Sequence, residues 1–169
     1  MKLFRAAALL ILLSWTCGSS AQLPASAIEE FVGSTRCDPA SREFLGGLST
    51  NAPCHYIAWN LTLTKSATAS EPNKFAVTAT YWLPAKDNPN QLAQGATVKT
   101  EGTLQIDRGS KVNPDAVVYR LHGKNAAKPV SLVQLSQHLL HFLNDDKSLK
   151  IGTAGWSYTL NRKGVGPEK

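Results

Sequence analysis

The side chains most able to do chemistry lie around one dipeptide, Cys54-His55. A thiolate next to an imidazole is a donor pair for borderline and soft transition metals, so Cys54 and His55 are candidate metal ligands. The other imidazoles are scattered along the chain: His122, His138 and His141. The alternative for Cys54 is a structural disulfide, and which role applies depends on the compartment.

Aromatic residues form a second group of candidates. The group consists of Trp59, Tyr81, Tyr119, Trp156 and Tyr158. Rings with polar tips can line an apolar ligand cavity, and they are equally suited to filling a packed core. The sequence leaves both alternatives open.

Sequence patterns that identify common enzymes are missing. The chain has no Gly-x-Ser-x-Gly, His-Glu-x-x-His or phosphate-loop motif. The acid pair Asp145-Asp146 could resemble a catalytic dyad, but it lies in a stretch that is typical of a turn. We therefore expect a protein that is not an enzyme and has no resident cofactor.

The first 21 residues predict export. Lys2 and Arg5 precede an apolar run over residues 6–15, and small residues end at Ala21. This is the layout of a secretory signal peptide, and the run is too short to span a bilayer as a helix. We expect a protein of the periplasm or of the outer-membrane-associated envelope.

Cysteine positions support this interpretation. Cys17 lies in the targeting segment, where its neighbours favour ordinary cleavage over lipid attachment, although acylated Cys17 would provide a membrane anchor. The remaining pair, Cys37 and Cys54, is most simply a disulfide in an exported chain. Such a bridge is worth about 3 kcal/mol in the chain-entropy model.

The bulk composition limits the possible partners. Removal of residues 1–21 leaves 148 residues, enough for one domain, with 16 basic and 12 acidic side chains. The resulting net charge of +4 is spread along the chain without a basic block. We expect no nucleic-acid binding.

The clearest helical signals lie at the start of the mature chain. Residues 22–53 are predicted to be helical or irregular, with one clear helix that follows Asp38-Pro39 and ends before Gly46-Gly47. Asp38 is a good N-cap, Pro39 suits the first turn, and the glycines suit the exit.

Residues 54–161 alternate with a period of two and predict a β domain of about eight strands. Predicted strands include residues 57–63, 75–83, 96–100, 102–106, 117–121 and 156–160, with residues 96–100 and 102–106 as a hairpin. Residues 130–143 fit a helix by spacing, or else two short strands. Residues 162–169 are predicted to be a flexible tail. Many short antiparallel strands favour a closed barrel.

Two segments resemble the NlpE-like copper-resistance lipoproteins of bacterial envelopes. They are residues 53–63, which begin Pro-Cys-His-Tyr-Ile, and residues 131–160, which end Gly-Trp-Ser-Tyr-Thr-Leu. The resemblance implies a small lipocalin-like β-barrel, with residues 130–143 as two strands. It also implies a role in copper tolerance, surface sensing or envelope stress. The Cys-x-x-Cys pair of that family is incomplete here, because Asn51 stands where the first cysteine would be.

These observations lead to three functional hypotheses. The first is a non-enzymatic envelope protein whose barrel binds a small ligand or senses stress. The second is a protein that binds copper or another metal through Cys54 and histidines. The third is a scaffold for another envelope protein.

Overall fold

A computed structural model describes residues 26–164 except residues 48, 50, 69 and 154. In it, eight antiparallel strands form a closed barrel in chain order, and β8 pairs with β1. The strands are β1 (Ala27–Arg36), β2 (Tyr56–Lys65), β3 (Lys74–Pro84), β4 (Leu92–Arg108), β5 (Val117–Gly123), β6 (Val130–Ser136), β7 (Leu139–Phe142) and β8 (Thr159–Arg162). Among these residues the one helix is α1 (Pro39–Leu45). The predicted small antiparallel barrel with a short N-terminal helical segment is confirmed.

Alternating side chains fill the inside of the barrel. Ile57, Trp59, Leu61 and Leu63 of β2 are buried, while the residues between them are more exposed. Successive side chains of a strand point to opposite faces, so this alternation places one set inside. All eight strands contribute to one continuous apolar cluster.

The helix forms for the reasons that the sequence predicts. The Asp38 side chain accepts a hydrogen bond from the Ser41 amide at 3.1 Å, Pro39 is the first helical residue, and Gly46 ends the helix with a φ of 66°. Positive φ is readily adopted by glycine alone, which explains the residue at this exit.

Helix α1 closes one end of the barrel, which we call the upper end; β1 ends there and β2 begins. Phe44 and Leu45 are 3% and 6% exposed and belong to the interior cluster. The Phe44 ring stacks on Phe75 with centroids 5.9 Å apart. The Tyr81 hydroxyl donates a 2.7 Å hydrogen bond to the Gly46 carbonyl, which ties the helix exit to β3.

The prediction for residues 22–53 is wrong in one respect, because residues 27–36 form β1 and the barrel begins before residue 54. The inward positions of β1 include Glu29, Gly33 and Thr35, so the apolar alternation that reveals other strands is missing. Gly33 allows the closure of the barrel: a Cβ there would collide with the Thr159 carbonyl of β8.

Three other strand predictions are settled by the structure. Residues 96–106 belong to the single strand β4 rather than to a hairpin, since one residue between the two predicted strands cannot make a turn. Residues 130–143 form β6 and β7, so the helical alternative is wrong. The last strand begins at Thr159 rather than at Trp156.

The predicted targeting segment, residues 1–21 with Cys17, lies outside the described residues. At the other terminus, Arg162 belongs to β8 and the Lys163 amide donates to the Glu30 carbonyl, so the predicted tail starts too early. Residues 165–169 are outside the described part. No helix within the described residues is both long and apolar enough to span a bilayer.

Candidate functional site

The aromatic residues predicted to line a cavity lie in two different places. Trp59, Tyr81, Tyr119 and Tyr158 are between 0% and 7% exposed and belong to the packed interior cluster. The Trp59 indole N–H donates to the Thr35 hydroxyl at 2.9 Å, which satisfies its polar atom inside the barrel. These four residues therefore act as core, whereas Trp156 lies outside the barrel.

Cys37 and Cys54 form the predicted disulfide. Their Cα atoms are 5.8 Å apart, within the usual range for this bond. The Cys54 sulfur is thereby engaged, and the exposed neighbour His55 uses its backbone amide to pair with the Trp82 carbonyl. Across the described residues, no three His, Cys, Asp or Glu side chains are grouped as a metal site would need.

Charged side chains converge inside the opposite, lower end of the barrel. Lys65 Nζ is 2.6 Å from the Glu29 carboxylate, and the Arg162 guanidinium is 3.6 Å from the other carboxylate oxygen. Lys65 Nζ also lies 5.2 Å from the centre of the Tyr119 ring, and the Tyr119 hydroxyl donates to Gln134 at 3.1 Å. We call these five residues the lower polar layer.

The environment of Lys65 decides what this layer can do. Burial alone would lower the pKa of Lys65, but its hydrogen bonds to Glu29 and Tyr119 raise that pKa above the usual value. A lysine held as an ammonium is a poor nucleophile and a poor base. The lower polar layer therefore serves to close the barrel with paired charges.

A concave surface lies near the upper end, on the side of β5 to β7. This upper cleft has a volume of about 870 Å³ and is formed by the start of α1, residues 128–131 and residues 142–150. Its apolar part includes Pro129, Val130, Phe142 and Leu143.

One wall of the upper cleft is built by the long connection between β7 and β8. Leu143 and Leu149 pair as an isolated bridge, and both pack on Val118 and Val133 outside the barrel. The Lys111 side chain holds the tip of this connection through a 2.8 Å ion pair with Asp146. The wall is thus anchored by a small second apolar cluster.

An ion pair joins this wall to the helix. Lys150 Nζ is 2.7 Å from the Asp38 carboxylate, and both side chains are 16% exposed. Burial would raise the pKa of Asp38, but hydrogen bonds from Lys150 and Ser41 outweigh it and lower that pKa below its usual value. Cys37 precedes Asp38, so the disulfide fixes the same corner of the cleft.

Other charges on the rim are not neutralised. Lys128 and Asp145 line the upper cleft, and neither forms an ion pair within the part of the chain that the structure describes. The cleft therefore offers a mixed apolar and polar lining with charges of both signs that form no ion pair. Such a surface is suited to an amphipathic ligand that carries ionised groups.

Sequence reasoning missed both the lower polar layer and the upper cleft. Asp38 and Lys150 are 112 residues apart, and no local pattern predicts that they meet. A signal did exist for the lower layer: Lys65 continues the inward alternation of β2, so the pattern itself places a charged residue at an inward position.

Comparison with known proteins finds no matching family model, no similar curated protein and no similar solved structure. The resemblance to the NlpE-like proteins thus stays a prediction from the two segments that carry it. Function has to be inferred from the fold and from the surfaces described above.

Proposed function

We propose that this chain is an exported, non-enzymatic protein of a bacterial envelope that binds a small ligand in the upper cleft. The observation that carries the proposal is the cleft itself, a concavity of about 870 Å³ lined by apolar residues and by charges of both signs. Its volume lies within the range of about 300–1,000 Å³ that is usual for small-molecule sites.

Export is supported by the disulfide and by the targeting pattern of the first 21 residues. Structural disulfides persist in oxidising compartments. Cys37 and Cys54 have suitable backbone positions for one, and the bridge supports the helix that forms a wall of the cleft. The resemblance to NlpE-like envelope proteins points to the same compartment and to a sensing role.

A binding role is favoured over catalysis by the chemistry of the charged groups. The enclosed lysines, Lys65 and Lys150, are both paired with carboxylates. The Arg42 guanidinium, the buried cation of α1, donates to the Ser49 and Ala52 carbonyls. Among the described residues, the one buried carboxyl group whose pKa is lowered is Asp38, which caps a helix. Groups held in this way orient the chain and do not transfer protons near neutral pH.

The position of the cleft supports a role in sensing the bound ligand. A ligand there contacts both α1 and the connection between β7 and β8, which are joined by the Asp38–Lys150 ion pair. Occupation of the cleft would stabilise that junction and present a changed surface to an envelope partner.

The test is a fragment screen on the isotopically labelled chain, monitored by two-dimensional amide NMR. The fragments are small amphipathic acids, amines and amino acids. We expect fragments to shift the amide signals of residues 128–131 and 143–148 in a saturable manner. Ala40→Trp should abolish these shifts, because Ala40 is exposed and lines the cleft, so an indole there fills it.

Glu43→Trp is the matched control. Glu43 is exposed on the same helix but does not line the cleft, so this variant carries the same ring and should bind fragments like the original chain. Shifts that map to other regions, or that persist unchanged in Ala40→Trp, would show that the cleft is not the binding site.

A further inference from the structure

A row of stacked aromatic rings lies on the outside of the barrel at the upper ends of β2 and β3. Tyr56 and Trp82 are cross-strand partners, and their rings are nearly parallel, with an interplanar angle of 11° and centroids 5.6 Å apart. Trp156, from the connection that precedes β8, also packs on Tyr56, with centroids 5.0 Å apart and an interplanar angle of 33°. All three side chains are half-buried.

The stack leaves aromatic surface accessible. Tyr56 contacts both tryptophan rings, and each of the three side chains is only half-buried. None of the three belongs to the interior cluster. Large rings at a surface supply much contact area at a small cost in conformational entropy, which is typical of binding surfaces.

Below the stack, the same outer face of the sheet carries short, uncharged side chains. The cross-strand pairs that follow Tyr56 and Trp82 are Ala58 with Thr80 and Asn60 with Thr78. Asn60 and Thr78 are exposed, and their side chains form no hydrogen bond within the described residues. We call the stack together with these four residues the aromatic strip; from Tyr56 to Asn60 it spans about 13 Å.

The charge pattern limits the chemical class of ligand that the strip can bind. The strip itself is neutral although the chain has a net charge of +6. Charged side chains of both signs border it: Arg36 beside Tyr56, Lys99 beside Thr78, and Glu30 and Glu101 in the next outward row. A neutral surface with aromatic faces and hydroxyl and amide groups has little to offer an acidic polymer or a charged peptide. It complements a molecule that has an apolar face and many hydroxyl groups.

We infer that the aromatic strip binds a polysaccharide made of neutral or N-acetylated pyranose sugars. The C–H face of a pyranose ring packs against an indole, while its hydroxyls both donate and accept, as the Asn60 amide and the Thr78 hydroxyl do. Other small β-barrels bind oligosaccharides on a sheet face in this way. The strip lies on the β2–β3 side, so this binding is separate from that of the upper cleft.

The experiment measures retention of the purified chain on two insoluble neutral polysaccharides, chitin and cellulose. Intrinsic tryptophan fluorescence with chitotriose and cellotriose gives the affinities. We expect retention on at least one solid and quenching by the related oligosaccharide. Which solid retains the chain identifies the sugar.

Two variants locate the site. Trp156→Ala removes one end of the stack, and Thr78→Glu places a carboxylate in the strip beside Lys99, where the fold can accept it. Each should weaken retention at least tenfold with unchanged circular dichroism. Ile151→Ala is the control, since Ile151 is 84% exposed and lies outside the strip.

Ala40→Trp, which fills the upper cleft, should leave retention unchanged, so failure of the two proposals can be distinguished. The inference is overturned if no solid retains the original chain. It is also overturned if both strip variants bind normally, or if Ile151→Ala weakens binding as much as they do.

Discussion

Removal of the Cys37–Cys54 bridge tests how the corner that carries α1 is stabilised. Arg36 and Tyr56 are the last pair of the β1–β2 ladder, so the native sheet already brings the two ends of the loop together. The bridge therefore adds little to the native contacts. Its main effect is on the unfolded chain, in which it closes a loop with a sequence separation of 17.

The size of the effect follows from loop entropy. A closed loop of this length restricts the unfolded chain by about 3 kcal/mol at room temperature. For a domain of roughly 140 residues, this corresponds to a fall in Tm of about 10 °C. The Cys37→Ser/Cys54→Ser double variant, expressed from Gln22 onward, should lose this amount of free energy of unfolding.

Urea denaturation followed by tryptophan fluorescence measures the loss. The chemically reduced original chain serves as a control and should match the double variant, and titration of free thiols should find none before reduction. A loss below about 1 kcal/mol would refute the entropic argument. A loss well above 5 kcal/mol would mean that the bridge holds native contacts of α1 instead.

Three further predictions concern the core, the closure and the upper cleft. Phe44→Ala should lower the free energy of unfolding by about 3–5 kcal/mol, because it removes a buried ring of α1 that fills the upper end of the barrel. Urea denaturation measures this loss, and a loss below about 1 kcal/mol would show that Phe44 does not fill that end. Gly33→Ala should destabilise the chain and weaken amide protection in β8, because its Cβ collides with the Thr159 carbonyl; unchanged hydrogen exchange there would contradict the predicted close approach. Lys150→Met should lower the free energy of unfolding by about 1 kcal/mol at neutral pH. Urea denaturation at a series of pH values measures this loss. The pKa of Asp38 is lower in the folded state, so its contribution to the free energy of unfolding is present above about pH 4 and is lost as the pH falls through the folded-state pKa. If Lys150→Met leaves the acid side of the stability curve unchanged, the ion pair does not contribute.

Local sequence patterns were sufficient to predict a strand wherever its inward positions are apolar. Trp59 and Tyr81 lie in strands with clear alternation, and both were assigned to the inside of a barrel. The capping residues of α1 were equally predictable from the sequence, since Asp38 and Gly46 act on backbone groups within a few residues.

Strand β1 shows where this reasoning fails. Glu29, Gly33 and Thr35 occupy inward positions for reasons that lie elsewhere in the chain. Glu29 pairs with Lys65 and Arg162, and Gly33 makes room for β8. The predicted strand count was nevertheless about eight, because dividing β4 into two strands compensated for missing β1.

By itself the sequence determined the mainly β class, the short capped helix and the pairing of its two later cysteines. These depend on periodicity, on capping within one turn and on the number of available thiols. Only the tertiary structure decided which aromatics are core, that Trp156 joins Tyr56 and Trp82 outside, and that Lys150 reaches Asp38 across the cleft. The physical reason is that closing a barrel brings together residues that are distant in the chain. Such contacts produce no periodic pattern in the sequence between them.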